Sequence, residues 1–138
     1  MDTKNATVRL PKNIADYLSQ NYSSINQGII ETINAFLQIR STSMNELKGV
    51  FAKDEWKFFA DSLNGTLVDG VFRTNVGALV AQCEDSARYD GLDQKWNLNL
   101  EALIKKVKSL KGANIEALYT RVEAFWNHPE DLEGWSEF

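Results

Sequence analysis

Along residues 5–10 apolar and polar side chains alternate: Ala6, Val8 and Leu10 against Asn5, Thr7 and Arg9. This is the period of a strand with one buried face. Pro11 closes the run, because proline offers no ladder N–H and suits the first turn of a helix. Beyond it the period changes. Ile14, Tyr17 and Leu18 share one side of a helix expected over residues 12–20. Asn21-Tyr22-Ser23-Ser24 is turn and cap chemistry, with Ser24 as N-cap of a second helix. Ile25, Ile29, Ile33, Phe36 and Leu37 then recur near i, i+4 spacing, with Ile30 alongside, as far as Arg40.

Residues 41–53 read as a linker, in which Ser43 and Glu46 can close a capping box for a brief turn ending near Gly49. A helical region of about four helices is expected over 54–138. The first carries Trp56, Phe59, Ala60 and Leu63, is capped by Asp54 and stops at Asn64-Gly65. Residues 66–72 fit a loop or a small hairpin turning at Asp69-Gly70. The second helix, 75–88, has Val76, Leu79, Val80, Cys83 and Ala87 as its stripe and breaks at Asp90-Gly91. Leu100-Glu101-Ala102-Leu103-Ile104 recurs in character as Ile115-Glu116-Ala117-Leu118-Tyr119, with Lys111-Gly112 between. A helical hairpin is the simplest structure for that pair. Asn127-His128-Pro129 ends it, before an acidic tail carrying Leu132, Trp135 and Phe138.

The chain of 138 residues accommodates one ordinary domain or two small ones. Its apolar and charged fractions are those of a folded protein, without a low-complexity tract. No apolar run approaches the roughly 18 residues of a membrane span, and residues 1–7 lack the apolar core of a secretory signal. With one cysteine, a cytoplasmic location is expected. The net charge of −4 is unevenly spread. Residues 1–40 hold Lys4, Arg9, Lys12 and Arg40 against Asp2, Asp16 and Glu31, a net of +1, so the remainder carries −5. A strand and two helices in so few residues cannot bury this much apolar surface alone. With no disulfide and no metal-ligand cluster, self-association or packing on the rest of the chain must cover it.

Strand, proline, helix, serine turn, helix: this order, carried by Asn5-Ala6-Thr7-Val8-Arg9-Leu10-Pro11 and Ser24-Ile25-Asn26, resembles the ribbon–helix–helix family of DNA-binding repressors. The resemblance covers about residues 4–40, within a module spanning 1–40, and implies a mainly α protein. An N-terminal strand would pair with that of a second chain as an antiparallel ribbon in the DNA major groove. It implies Asn5, Thr7 and Arg9 as base-reading residues, side chains able to address adenine, thymine and guanine edges. Lys4, Lys12, Ser24, Ile25 and Asn26 would hold phosphates, the last three through helix N-terminal N–H groups. Ala6, Val8, Leu10, Ile14, Leu18, Ile25, Ile29, Ile33 and Phe36 would form the dimer core. Gly28 and Thr32 stand where related proteins bury charge.

Other chemistry is sparse. Cys83 lies on an apolar stripe, where a buried, inert thiol is the usual case. His128 sits at a helix end, and Asp90 and Asp93 flank a turn. No zinc spacing, calcium loop, phosphate loop or dinucleotide fingerprint is present, so neither cofactor nor catalysis is expected. Lys105, Lys106, Lys108 and Lys111 read as the solvated back of an amphipathic helix. Of the aromatics Trp56, Phe58, Phe59, Phe72, Trp96, Phe125 and Trp126, most belong in a core and some on a partner surface. The sequence thus points to a dimeric, sequence-specific DNA-binding regulator whose C-terminal region adds oligomerisation or binds a protein partner. Its alternatives are an antitoxin that represses its own operon and holds a toxin C-terminally, and a dimeric interaction protein without DNA binding.

Overall fold

The structure, a computed structural model, describes residues 3–63 and 72–127. Among these residues it contains seven α-helices, one short 3-10 turn and no strand. The Asp69-Gly70 turn, His128 and the acidic tail lie outside the described residues. The chain divides into two compact units, Met1–Gln38 and Ile39–Phe138.

The expected N-terminal strand is absent, and with it the ribbon–helix–helix fold: residues 3–11 carry no regular structure. Alternating side chains create a face, but a strand exists only within a hydrogen-bonded ladder. No segment among the described residues offers residues 5–10 a ladder.

In the first unit Pro11 starts α1 (Lys12–Asn21), its carbonyl accepting from Ile14 and Ala15 N–H. The helix closes where Tyr22 N–H reaches Leu18 O at 3.0 Å. Ser24 caps α2 (Ile25–Leu47), its hydroxyl accepting from Gln27 N–H at 3.0 Å. The two helices meet at Gly28. A Cβ there would lie 2.9 Å from Tyr22 Cδ2 and 3.0 Å from Leu18 Cδ2, so glycine is what lets them approach. Thr32 Oγ1 and Tyr22 OH are 3.4 Å apart, a second link between the helices.

α2 runs seven residues past Arg40, through the segment read as the start of a linker. Ser41-Thr42-Ser43 forms helix poorly by itself. Burial holds it: Ser43 and Leu47 are enclosed in the second unit. There Asn114 Nδ2 donates to Glu46 Oε2 at 3.0 Å.

The second unit is built around α3 (Lys53–Ser62), with Trp56, Phe58 and Phe59 fully buried. Phe51 packs edge-on against Trp56 and Phe59, at 5.5 and 5.0 Å between ring centres. Glu55, not Asp54, secures the start of α3 by accepting Ala52 N–H at 2.8 Å. The 3-10 turn Phe72–Thr74 leads into α4 (Val76–Asp90), α5 (Leu92–Lys95), α6 (Leu100–Lys108) and α7 (Gly112–Asn127). Asn75 caps α4 and Asn99 caps α6, each accepting the N–H three residues on at 3.0 Å. The expected α6–α7 hairpin does not form a packed pair. α6 lies chiefly on α4, and α7 on α3 and the 3-10 turn. Leu79, Cys83, Leu103, Val107, Ile115, Leu118 and Val122 join the aromatic residues in one core.

Candidate self-association and DNA-contact surface

α2 turns its apolar side chains over an arc wider than one neighbour covers. At 100° per residue, Ile25, Phe36, Ile29, Ile33, Leu37 and Ile30 follow one another over an arc of about 140°, which Asn26 also enters. Gln27, Glu31, Asn34 and Gln38 occupy the opposite side. α1 meets α2 at Gly28, beside this arc and not on it. In consequence Val8, Ile14, Tyr17, Ile25, Ile30, Ile33, Phe36 and Leu37 all remain exposed in the single chain. Leu18 is the only hydrophobic side chain among described residues of this unit that is buried.

The expected dimer-core residues therefore fall into two sets. Leu18 is enclosed within its own chain, Leu10 and Ile29 are half-buried, and Ala6, Val8, Ile14, Ile25, Ile33 and Phe36 face outward. Tyr17 on α1 and Ile30 and Leu37 on α2 are exposed as well, although the sequence-based core omitted them. The helical wheel holds the signal: Ile30 and Leu37 are seven residues apart and share the arc of Ile33.

The eight side chains are each 39–63% exposed, and the core of a standard protein interface, which buries about 800 Å² on each partner, is made of apolar side chains of this kind. No charged residue lies within the apolar arc of α2 between Ile25 and Leu37, so a two-fold pairing places no charge against its own copy.

The residues expected at DNA are also on the outside. Lys4, Asn5, Thr7, Arg9 and Lys12 are exposed, as are Ser24, Ile25 and Asn26. Residues 3–12 hold three cations and no anion. Arg40 is committed elsewhere: its Nη2 contacts Glu116 Oε1 at 2.8 Å within the second unit. Arg73 also reaches Glu116, at 3.4 Å, and pairs with Glu123. Without Arg40 the charge of Met1–Gln38 is zero.

Burial pushes the Cys83 thiol up to about 12, which leaves it protonated and unreactive at neutral pH. Among the described residues no three His, Cys, Asp or Glu side chains are placed to hold a metal ion. No described helix is long and apolar enough to cross a membrane. Lys106 belongs to the fold, contacting Glu55 at 2.5 Å over the Phe51 ring. Trp56, Phe58 and Phe59 are core, and Trp96, Phe125 and Trp126 pack half-buried at its edge. Comparison with protein-family models, curated proteins and solved structures finds no match to this chain.

Proposed function

We propose that the protein is a homodimeric regulator that binds double-stranded DNA through its first unit. The observation that carries this reading is the uncovered apolar face of α1 and α2, which leaves Met1–Gln38 without a core of its own. A segment of this size, folding by itself, usually needs a disulfide, a metal or a partner to be stable. Pairing doubles the cationic cluster, bringing two copies each of Lys4, Arg9 and Lys12 into one particle. Lys4 and Lys12 meet phosphates, while Asn5, Thr7 and Arg9 address base edges from a segment that is not a strand.

Salt dependence is the test. Four phosphate contacts per dimer give a slope of about −4 in log K against log salt. Lys12→Ala removes about 2 from that slope and weakens all sequences alike. Arg9→Ala costs about 1–3 kcal/mol per base contact and relaxes the preferred sequence. A slope near zero defeats the DNA assignment, and an unchanged preference in Arg9→Ala defeats the base-reading role of Arg9.

One observation favours a second reading. The first unit has no net charge and the whole chain carries −4, a weak balance for a DNA-binding protein. The same apolar face then serves a dimeric interaction protein, and DNA binding is absent at any salt.

A further inference from the structure

A groove of about 740 Å³ runs between α4 and α6 in the second unit. Ala87, Leu100 and Ile104 give it an apolar floor, and all three are half-buried. Glu84 and Arg88 stand on the α4 wall, Glu101, Lys105 and Lys108 on the α6 wall, and Asp93 of α5 completes the lining. Among the described residues none of these six charges is in an ion pair. Glu84 and Arg88, like Glu101 and Lys105, are four residues apart with the acid first, the order that favours pairing within a helix. Neither pair is formed, and the Arg88 guanidinium lies instead over the Tyr89 ring, 5.9 Å from its centre.

The α6 wall is complementary to itself when reversed. Glu101 lies three residues before Ile104, and Lys108 four residues after it. In an antiparallel pair crossing at Ile104, Glu101 of one helix and Lys108 of the other differ in level by only about 1.5 Å. Lys105 of the second copy lies on the other side of the same carboxylate, so each Glu101 falls between two lysines. Leu100, four residues before Ile104, comes level with Lys108 of the second copy, whose methylene stem can cover it.

We propose that this groove is an interface with a second copy of the chain, α6 packing antiparallel on α6 about a two-fold axis at Ile104. The contact is separate from the apolar face of the first unit and does not depend on it. Its charge pairs are exposed at the rim, so it forms at low ionic strength and is lost as salt rises. With both contacts in place, dimers join into tetramers or longer assemblies, as two different two-fold interfaces on one chain require.

Full-length variants test it by sedimentation velocity. Glu101→Lys makes the α6 stripe wholly cationic, and Lys105→Glu with Lys108→Glu makes it wholly acidic. All three positions are exposed, and circular dichroism verifies that each variant folds. The wild-type chain is expected to have about twice the mass at low salt that it has at high salt. Each variant alone loses that increment, and an equimolar mixture of the two regains it. Ile104→Glu, which leaves the three charges in place, also loses it. An increment that is missing in the wild type, unaffected by either reversal, or not regained on mixing overturns the proposal.

Discussion

Ile33→Glu tests the apolar face of the first unit most directly. Ile33 is 51% exposed in the single chain, and Leu37, one turn on, is equally so. A glutamate there costs the monomer little: surface changes usually stay within about 0.5 kcal/mol, and Glu is a better helix former than Ile. In the paired state the same carboxylate enters an interface that has no cation in the arc of α2 to receive it. An uncompensated buried charge costs about 3–5 kcal/mol, and the two-fold introduces two. If half of the total is relieved by rotation toward the rim, at least about 3 kcal/mol remains, about a hundredfold in Kd. Adding Leu37→Glu should abolish pairing at micromolar concentration. Sedimentation in about 0.5 M salt isolates this contact, because salt screens rim charges and leaves apolar association intact. Gln38→Glu, on the polar side of α2, is the control and should keep the wild-type mass. If Ile33→Glu also keeps it, or the wild-type chain is monomeric, the face is not an interface.

Three further outcomes follow from packing and burial. Gly28→Val places new methyl groups where a Cβ is already 2.9 Å from the Tyr22 ring, so it should separate α1 from α2 at a cost of about 1–3 kcal/mol and weaken association, measured by sedimentation. Gly112→Ala brings a Cβ to 2.9 Å from Thr74 O, a backbone atom that cannot turn aside. The melting temperature should fall although alanine is the better helix former, and a rise would show the contact to be loose. Cys83 keeps its proton in the folded state up to about pH 12, whereas in the unfolded chain it ionises near its ordinary value of 9.0. Stability is therefore intact below about pH 9 and declines above it, by about 1.4 kcal/mol per unit, until the folded thiol also ionises. Cys83→Ala should remove that part of the alkaline slope in urea titrations, and parallel decline of both proteins would refute the assignment.

The period of the side chains located most of the helices. Pro11 and Ser24 marked the starts of α1 and α2, and Asn75 that of α4, because each start is decided within three or four residues by a proline or a cap. What the period could not give was any element that depends on a distant partner. Ala6, Val8 and Leu10 alternate as a strand does, but alternation supplies no ladder. Ser43 and Leu47 are helical because they are enclosed in the second unit, where Asn114, seventy-one residues beyond Ser43, reaches its carbonyl at 3.5 Å. α6 and α7 look like neighbours by composition, yet their stripes face α4 and α3. The candidate surface was half legible: its residue types were evident, and its extent required knowing that α1 covers the Gly28 side and leaves Ile30, Ile33 and Leu37 open.

α2 belongs to both units, and this decides what loss of pairing does to the chain. Residues 39–47 of the helix lie in the second unit, fixed by the burial of Ser43 and Leu47 and by the Asn114–Glu46 hydrogen bond. The unfavourable step in helix formation is the first turn, and each later residue adds a hydrogen bond for one residue ordered. Residues 25–38 therefore extend from turns that are already in place. α1 has ten residues, too few for an isolated helix to be stable in water, and Leu18 as its only buried side chain. A chain that cannot pair should thus lose α1 first, retain much of α2, and keep the aromatic core around Trp56, Phe58 and Phe59. Such a variant gives up a small part of its helical signal and none of its main cooperative transition. A fall in mass with that transition unchanged then reports the apolar face itself and not collapse of the fold.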